Sequence, residues 1–83
     1  MNINKAEKVE QAYDDVCWFE SFSSEGYYRV AVDTAYELGG IEIANSNDGN
    51  SAKSFAPTVT FEFDDLSSAQ VTYGGVYLLN DDA

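Results

Sequence analysis

The chain has 83 residues, with 15 Asp and Glu against four Lys and Arg, no histidine and a formal net charge of −11. This length makes one small domain, and a hydrophobic share of 45% with six Tyr, five Phe and one Trp excludes an intrinsically disordered acidic chain, which would be poor in aromatics. The charge argues against direct binding to nucleic acid or anionic lipid, and without histidine there is no Ser-His or Cys-His pair and no ordinary proton shuttle.

The first ten residues lack the apolar run of a signal peptide and no stretch approaches a membrane span, so the expected location is the cytoplasm. A single cysteine, Cys17, allows no internal disulfide and fits a reducing compartment.

In chain order, the segment from Asn4 to about Phe22 reads as an amphipathic helix. Asn4 is a capping residue and Glu7 stands three residues on, as in a capping box. Val9, Ala12, Tyr13, Val16 and Phe19 form an apolar stripe at helical spacing, with Glu7, Glu10, Asp14 and Asp15 off it. Residues 16–22 are also aromatic enough to form a strand turning at Ser23-Ser24-Glu25-Gly26. Helix is favoured there, because a helix ending near Asp15 would place two acids at the negative end of its dipole.

From Tyr28 to Glu37, Tyr28, Val30, Val32, Thr34 and Tyr36 alternate with Arg29, Ala31, Asp33, Ala35 and Glu37, which predicts a long strand. Gly39-Gly40 would then be a hairpin turn into Ile41-Glu42-Ile43. Asn45 to Ser54 is polar and reads as a loop. Pro57 opens a strand with Val59, Phe61 and Phe63 inward and Thr58, Thr60, Glu62 and Asp64 outward. After a turn at Asp64 to Ser68, Val71 and Tyr73 begin the last strand, with a bulge or bend at Gly74-Gly75 before Val76 to Leu79 and a frayed end from Asn80. The expected fold class is α+β: one N-terminal helix packed on a four-stranded antiparallel sheet, or five-stranded if residues 16–22 are extended. The inward residues Val30, Val32, Ile41, Ile43, Val59, Phe61, Phe63 and Val71 complete the core, and the open sheet face carries Asp33, Glu42, Glu62 and Asp64.

Catalytic chemistry finds little support. Carboxylates two apart on a strand, such as Glu62 and Asp64, are spaced roughly 6.6 Å on any strand, which carries no information about a glycosidase pair. The run Asn45 to Ser51 has the composition of a calcium loop but a single carboxylate, and Ala56-Pro57 stand where a closing Glu would be needed. No phosphate-binding glycine loop is present. Neither a cofactor nor a metal is expected, and the chain reads as a non-enzyme. Cys17 has no basic neighbour in sequence and is expected to behave as a buried hydrophobe. Trp18 is expected in the core, with an exposed interface anchor as the alternative.

The acids remain. Helical positions three or four apart sit about 5–6 Å from each other, close to the spacing of successive phosphates along a nucleic-acid strand. Glu7, Glu10, Asp14 and Asp15 with Asp33, Glu42, Glu62 and Asp64 therefore form the candidate partner-binding face. In size, acidity and histidine-free make-up the chain resembles, as a class, the small phage-encoded DNA mimics, which include inhibitors of uracil-DNA glycosylase, anti-restriction proteins and anti-CRISPR proteins. That resemblance implies an inhibitor whose partner is a basic nucleic-acid-binding protein or nuclease. The alternatives are an immunity or antitoxin protein neutralising a toxin nuclease, with its acids around one aromatic anchor, and a structural or assembly module, a monomer or homodimer, whose acidity is a generic surface property.

Overall fold

Asn4 starts the first helix as its sequence position predicts: its side chain accepts the Glu7 amide at 2.8 Å, and Glu7 Oε1 accepts the Asn4 amide at 3.0 Å. This is the reciprocal capping box. The computed structural model describes residues 3–18, 22–47 and 57–79. Within them, helix α1 spans Lys5–Val16 and helix α2 spans Ser24–Glu37. Four strands follow: β1 (Ile41–Asn45), β2 (Val59–Glu62), β3 (Ser68–Thr72) and β4 (Gly75–Leu78). They form an antiparallel sheet in the order β1-β2-β3-β4. The architecture is α+β, two helices packed on a four-stranded antiparallel sheet.

The expected strand from Tyr28 to Glu37 is a helix. The alternation of β-branched and aromatic residues there is coincidental with a helical set, Tyr27, Ala31, Ala35 and Leu38, that faces the core. Ala31 and Ala35 are fully buried, and their small side chains let α1 and α2 approach closely. Ser23 caps the helix by accepting the Gly26 amide at 3.3 Å. The far end is a Schellman stop, in which Gly39 donates to Tyr36 O at 3.0 Å and Gly40 to Ala35 O at 2.8 Å. Gly39, at φ +83°, takes the left-handed position that this stop requires. Gly39-Gly40 therefore ends a helix and does not turn a hairpin.

Helix α1 stops at Val16, with Cys17 as its cap, so Asp14 and Asp15 do sit at the negative end of the dipole. The helix expected to reach Phe22 is shorter because the chain must reverse into α2; residues 19–21, with Phe19, lie outside the described residues. Tyr13 and Tyr27 meet edge to face at 5.4 Å between ring centroids. At the other end, the start of α1 and the segment after α2 both reach the β2–β3 turn, through Lys5–Asp64 and Gly40–Phe63. The helices are thus antiparallel.

One core lies between helices and sheet. Ala6, Val9 and Tyr13 from α1 and Ala31 and Ala35 from α2 pack with Val59, Phe61, Phe63, Ala69, Val71 and Val76. Val59, Phe61, Phe63 and Val71 are inward as predicted. Ile41 and Ile43 are not: they are 67% and 55% exposed, because β1 is an edge strand with a register irregularity between Glu42 and Ala44. Val30 and Val32 are half-buried on α2. Gly74 belongs to a tight turn with Tyr73, since Thr72 pairs with Gly75 and Val71 with Val76; β3 and β4 are separate strands where one bent strand was expected. The polar segment 48–56 and the end from Asn80 lie outside the described residues.

The β2–β3 connection is a three-residue hairpin loop. Phe63 donates to Ser67 O at 2.9 Å and its carbonyl accepts from Leu66 at 3.0 Å. Leu66 occupies the left-handed position at φ +72°, which glycine normally fills in such loops. For a residue with a Cβ this conformation costs roughly 1–2 kcal/mol.

Candidate functional site

The capping geometry of α1 draws part of the acidic set into structural duty. The β2–β3 turn supplies two of the first-turn acceptors: Asp65 Oδ2 accepts the Lys5 amide at 2.8 Å and Ser67 Oγ accepts the Ala6 amide at 3.1 Å. Asp65 also accepts from the Ser67 amide at 3.0 Å and from the Ser67 hydroxyl. These hydrogen bonds, that of the Ser67 side chain foremost, hold the Asp65 carboxyl below its ordinary range. Asp64 pairs with Lys5 Nζ at 2.8 Å. Glu7 is held in the capping box. Sequence reading gave Asp65 no role; Asn4, Asp65 and Ser67 converge on the same helix start only once the turn is folded.

The predicted acidic sheet face is not assembled. Asp33 lies on α2. Glu42 is paired opposite Phe61, and directly opposed residues share a face, so Glu42 points to the helix side. There the Tyr36 hydroxyl donates to Glu42 Oε2 at 2.9 Å and the Asn45 amide to Oε1 at 3.3 Å. The hydrogen bond to Glu42 raises the Tyr36 phenol above its ordinary value, with desolvation adding to it. Asp64 is in the turn. Of the four expected acids, Glu62 alone stands on the open face, where Thr60, Ser68, Gln70 and Tyr77 accompany it.

What the fold does bring together is helical. Glu7, Glu10 and Asp14 follow one another at steps of three and four along α1, and Asp15 is exposed beside them. On α2 the positions Glu25, Arg29, Asp33 and Glu37 recur every fourth residue and are all exposed. Arg29 reaches Glu25 at 3.4 Å, which leaves Asp33 and Glu37 as the acidic half of that ridge. Among the described residues the ion pairs are Lys5–Asp64 and Arg29–Glu25. Glu25 and Glu37 fall outside the candidate set because the sequence reads as a turn at 23–26 and a strand over 28–37; the Ser23 cap and the Gly39 stop are the local signals of the helix.

Aromatic rings gather at the end of the molecule away from the β2–β3 turn. Tyr13 donates to Tyr73 O at 2.7 Å, Tyr28 and Tyr73 lie 4.8 Å apart and Phe22 stacks on Tyr27 at 6.4 Å. Burial raises the Tyr13 and Tyr28 phenols. Cys17 is half-buried against the core, its thiol directed to Asp14 O at 3.1 Å. Trp18, expected inside, is 83% exposed just beyond Asp14 and Asp15. No group of three or more Cys, Asp or Glu side chains among the described residues is placed to hold a metal ion. None of the described helices is long and apolar enough to cross a membrane.

The fold and surface define a small α+β domain whose solvent-facing helical carboxylates far outnumber their cationic partners. Comparison with protein-family models, with curated proteins and with solved structures finds no match for this chain.

Proposed function

We propose that the chain is an acidic protein-binding inhibitor of the phosphate-mimic kind. It acts in the cytoplasm as a binding domain and not as a catalyst. Its helical carboxylates occupy the basic site of a nucleic-acid-binding protein or nuclease, in the manner of an anti-CRISPR, anti-restriction or repair-enzyme inhibitor. The observation that carries this reading is the pair of antiparallel helices, in one layer over the sheet, that present Asp14, Asp15, Asp33 and Glu37 to solvent, with half-buried Glu10 in the α1 row. Carboxylates on folded helices need no backbone reordering on binding, and a basic groove that accepts them releases its own counterions as it does for DNA. Steering by the net charge of −11 speeds the encounter.

The test is charge reversal on the helices. The variant Glu10→Lys/Asp14→Lys/Asp33→Lys should fold, as all three positions lie outside the core. It should lose capture of basic proteins from a heparin-binding fraction of bacterial lysate, and duplex DNA should displace the wild-type domain from the same proteins. Capture by the reversed variant equal to wild type rejects the reading.

One observation favours a second reading, that of an immunity protein plugging a toxin nuclease. Trp18 is an exposed aromatic with Asp14 and Asp15 within one turn of it, the arrangement of an anchor with an acidic rim. In that case Trp18→Ala abolishes capture while reversal of Asp33 leaves it intact.

A further inference from the structure

Leu66 combines two properties that folding alone does not explain. It is 83% exposed, so it contributes little to the core, and it holds the left-handed backbone position that glycine would take at lower cost. The loop around it is tightly fixed. Phe63 closes the hairpin on both sides, Asp65 and Ser67 are tied to the first amides of α1, and Asp64 is paired with Lys5. Leu66 is therefore a preorganised apolar knob, since none of its supports depends on its own side chain. Its surroundings keep a net negative charge: Glu62, Asp64 and Asp65 are all exposed within four residues of it, against the single Lys5 cation paired with Asp64. Residues held in sparsely populated conformations by their surroundings cluster at functional contacts.

We propose that Leu66 is an anchor that enters an apolar socket with a cationic rim on the partner protein. The rim matches the acids around the knob, and the rigidity of the loop lowers the ordering cost of docking. The inference rests on the reading of the chain as a protein-binding domain. It adds a contact that phosphate imitation does not supply, because a phosphate has no apolar group for such a socket. The same charge weighs against a second copy of this chain as the occupant, since two acidic surfaces would meet.

The experiment uses the full chain with its four leucines replaced by photo-leucine, illuminated with the heparin-binding fraction of bacterial lysate. Unlabelled wild-type, Leu66→Met, Leu66→Gly and Leu66→Asn chains are added to it as competitors. The expected result is cross-linking to basic proteins that the wild-type and Met chains suppress alike, while the Gly and Asn chains compete about tenfold or more weakly. Both the Gly and Asn variants should melt at or above the wild-type temperature, because each tolerates the left-handed position better than Leu. Equal competition by Leu66→Gly and wild type, a cross-linked dimer of this chain alone, no cross-link above background, or a marked loss of melting temperature in Leu66→Gly would each overturn the proposal. Running Glu10→Lys/Asp14→Lys beside them separates the two claims. If it competes like wild type while Leu66→Gly does not, the anchor stands and phosphate mimicry falls; the reverse pattern rejects the anchor.

Discussion

Asp65 joins the β2–β3 turn to the start of α1 through the Lys5 amide and Ser67, so its charge state belongs to the stability of the fold. Its folded carboxyl titrates below the usual range, chiefly through the hydrogen bond from Ser67. A depressed carboxylate stabilises the folded state above its unfolded pKa of about 3.9, and that contribution disappears as pH falls through the lower folded value. Asp65→Ala should therefore cost about 0.5–2 kcal/mol at neutral pH, the range for losing a capping acceptor. Its deficit against wild type should close as the solution is acidified through that window; a deficit that persists in acid would show that packing, not ionisation, is responsible. Gly40 is the second residue on which the fold leans. A Cβ there would stand 2.6 Å from Phe63 Cε1 and 2.9 Å from Ala35 O, so Gly40→Ala should lose about 1–3 kcal/mol in chemical denaturation.

Helix α2 shows why part of the fold was legible and part was not. Residues 28–37 satisfy a period of two through Tyr28, Val30, Val32, Thr34 and Tyr36, and a period near 3.6 through Tyr27, Ala31, Ala35 and Leu38. The choice between them is made by packing. Ala31 and Ala35 are fully buried in the same core as Val9 and Tyr13, a tertiary fact with no strong local signal. By contrast the Asn4–Glu7 box, the β2 alternation and the β2–β3 turn depend on near neighbours and were readable. The candidate acids divide in the same way. The α1 row survives because its helix was recognised, whereas Asp33, Glu42 and Asp64 scatter to a helix, an internal hydrogen bond and a turn. Both helices also end without a cation in the last turn, an arrangement that opposes their dipoles. Replacing Glu37 by Lys should stabilise the domain by about 0.3–1 kcal/mol, through the dipole and a new pair with Asp33 one turn earlier. Thermal melting at low salt measures it, and no gain would mean that solvent already screens this helix end.

Across the whole molecule, the −11 charge is sorted by the fold into structural and unengaged acids. Glu7, Glu42, Asp64 and Asp65 hold a cap, a tyrosine, a lysine and a turn. Asp14, Asp15, Asp33 and Glu37 remain on the solvent side of the helical layer. Self-repulsion among them opposes folding, so moderate sodium chloride should raise the melting temperature by screening like charges; a fall would mean that the few ion pairs outweigh the repulsion. The most direct test of the proposed role is displacement: basic proteins bound to the immobilised domain are challenged with duplex DNA, beside the Glu10→Lys/Asp14→Lys/Asp33→Lys variant. DNA should release them from the wild type, and the folded variant should never bind them. Retention in the presence of DNA, together with undiminished binding by the variant, would contradict the proposed role.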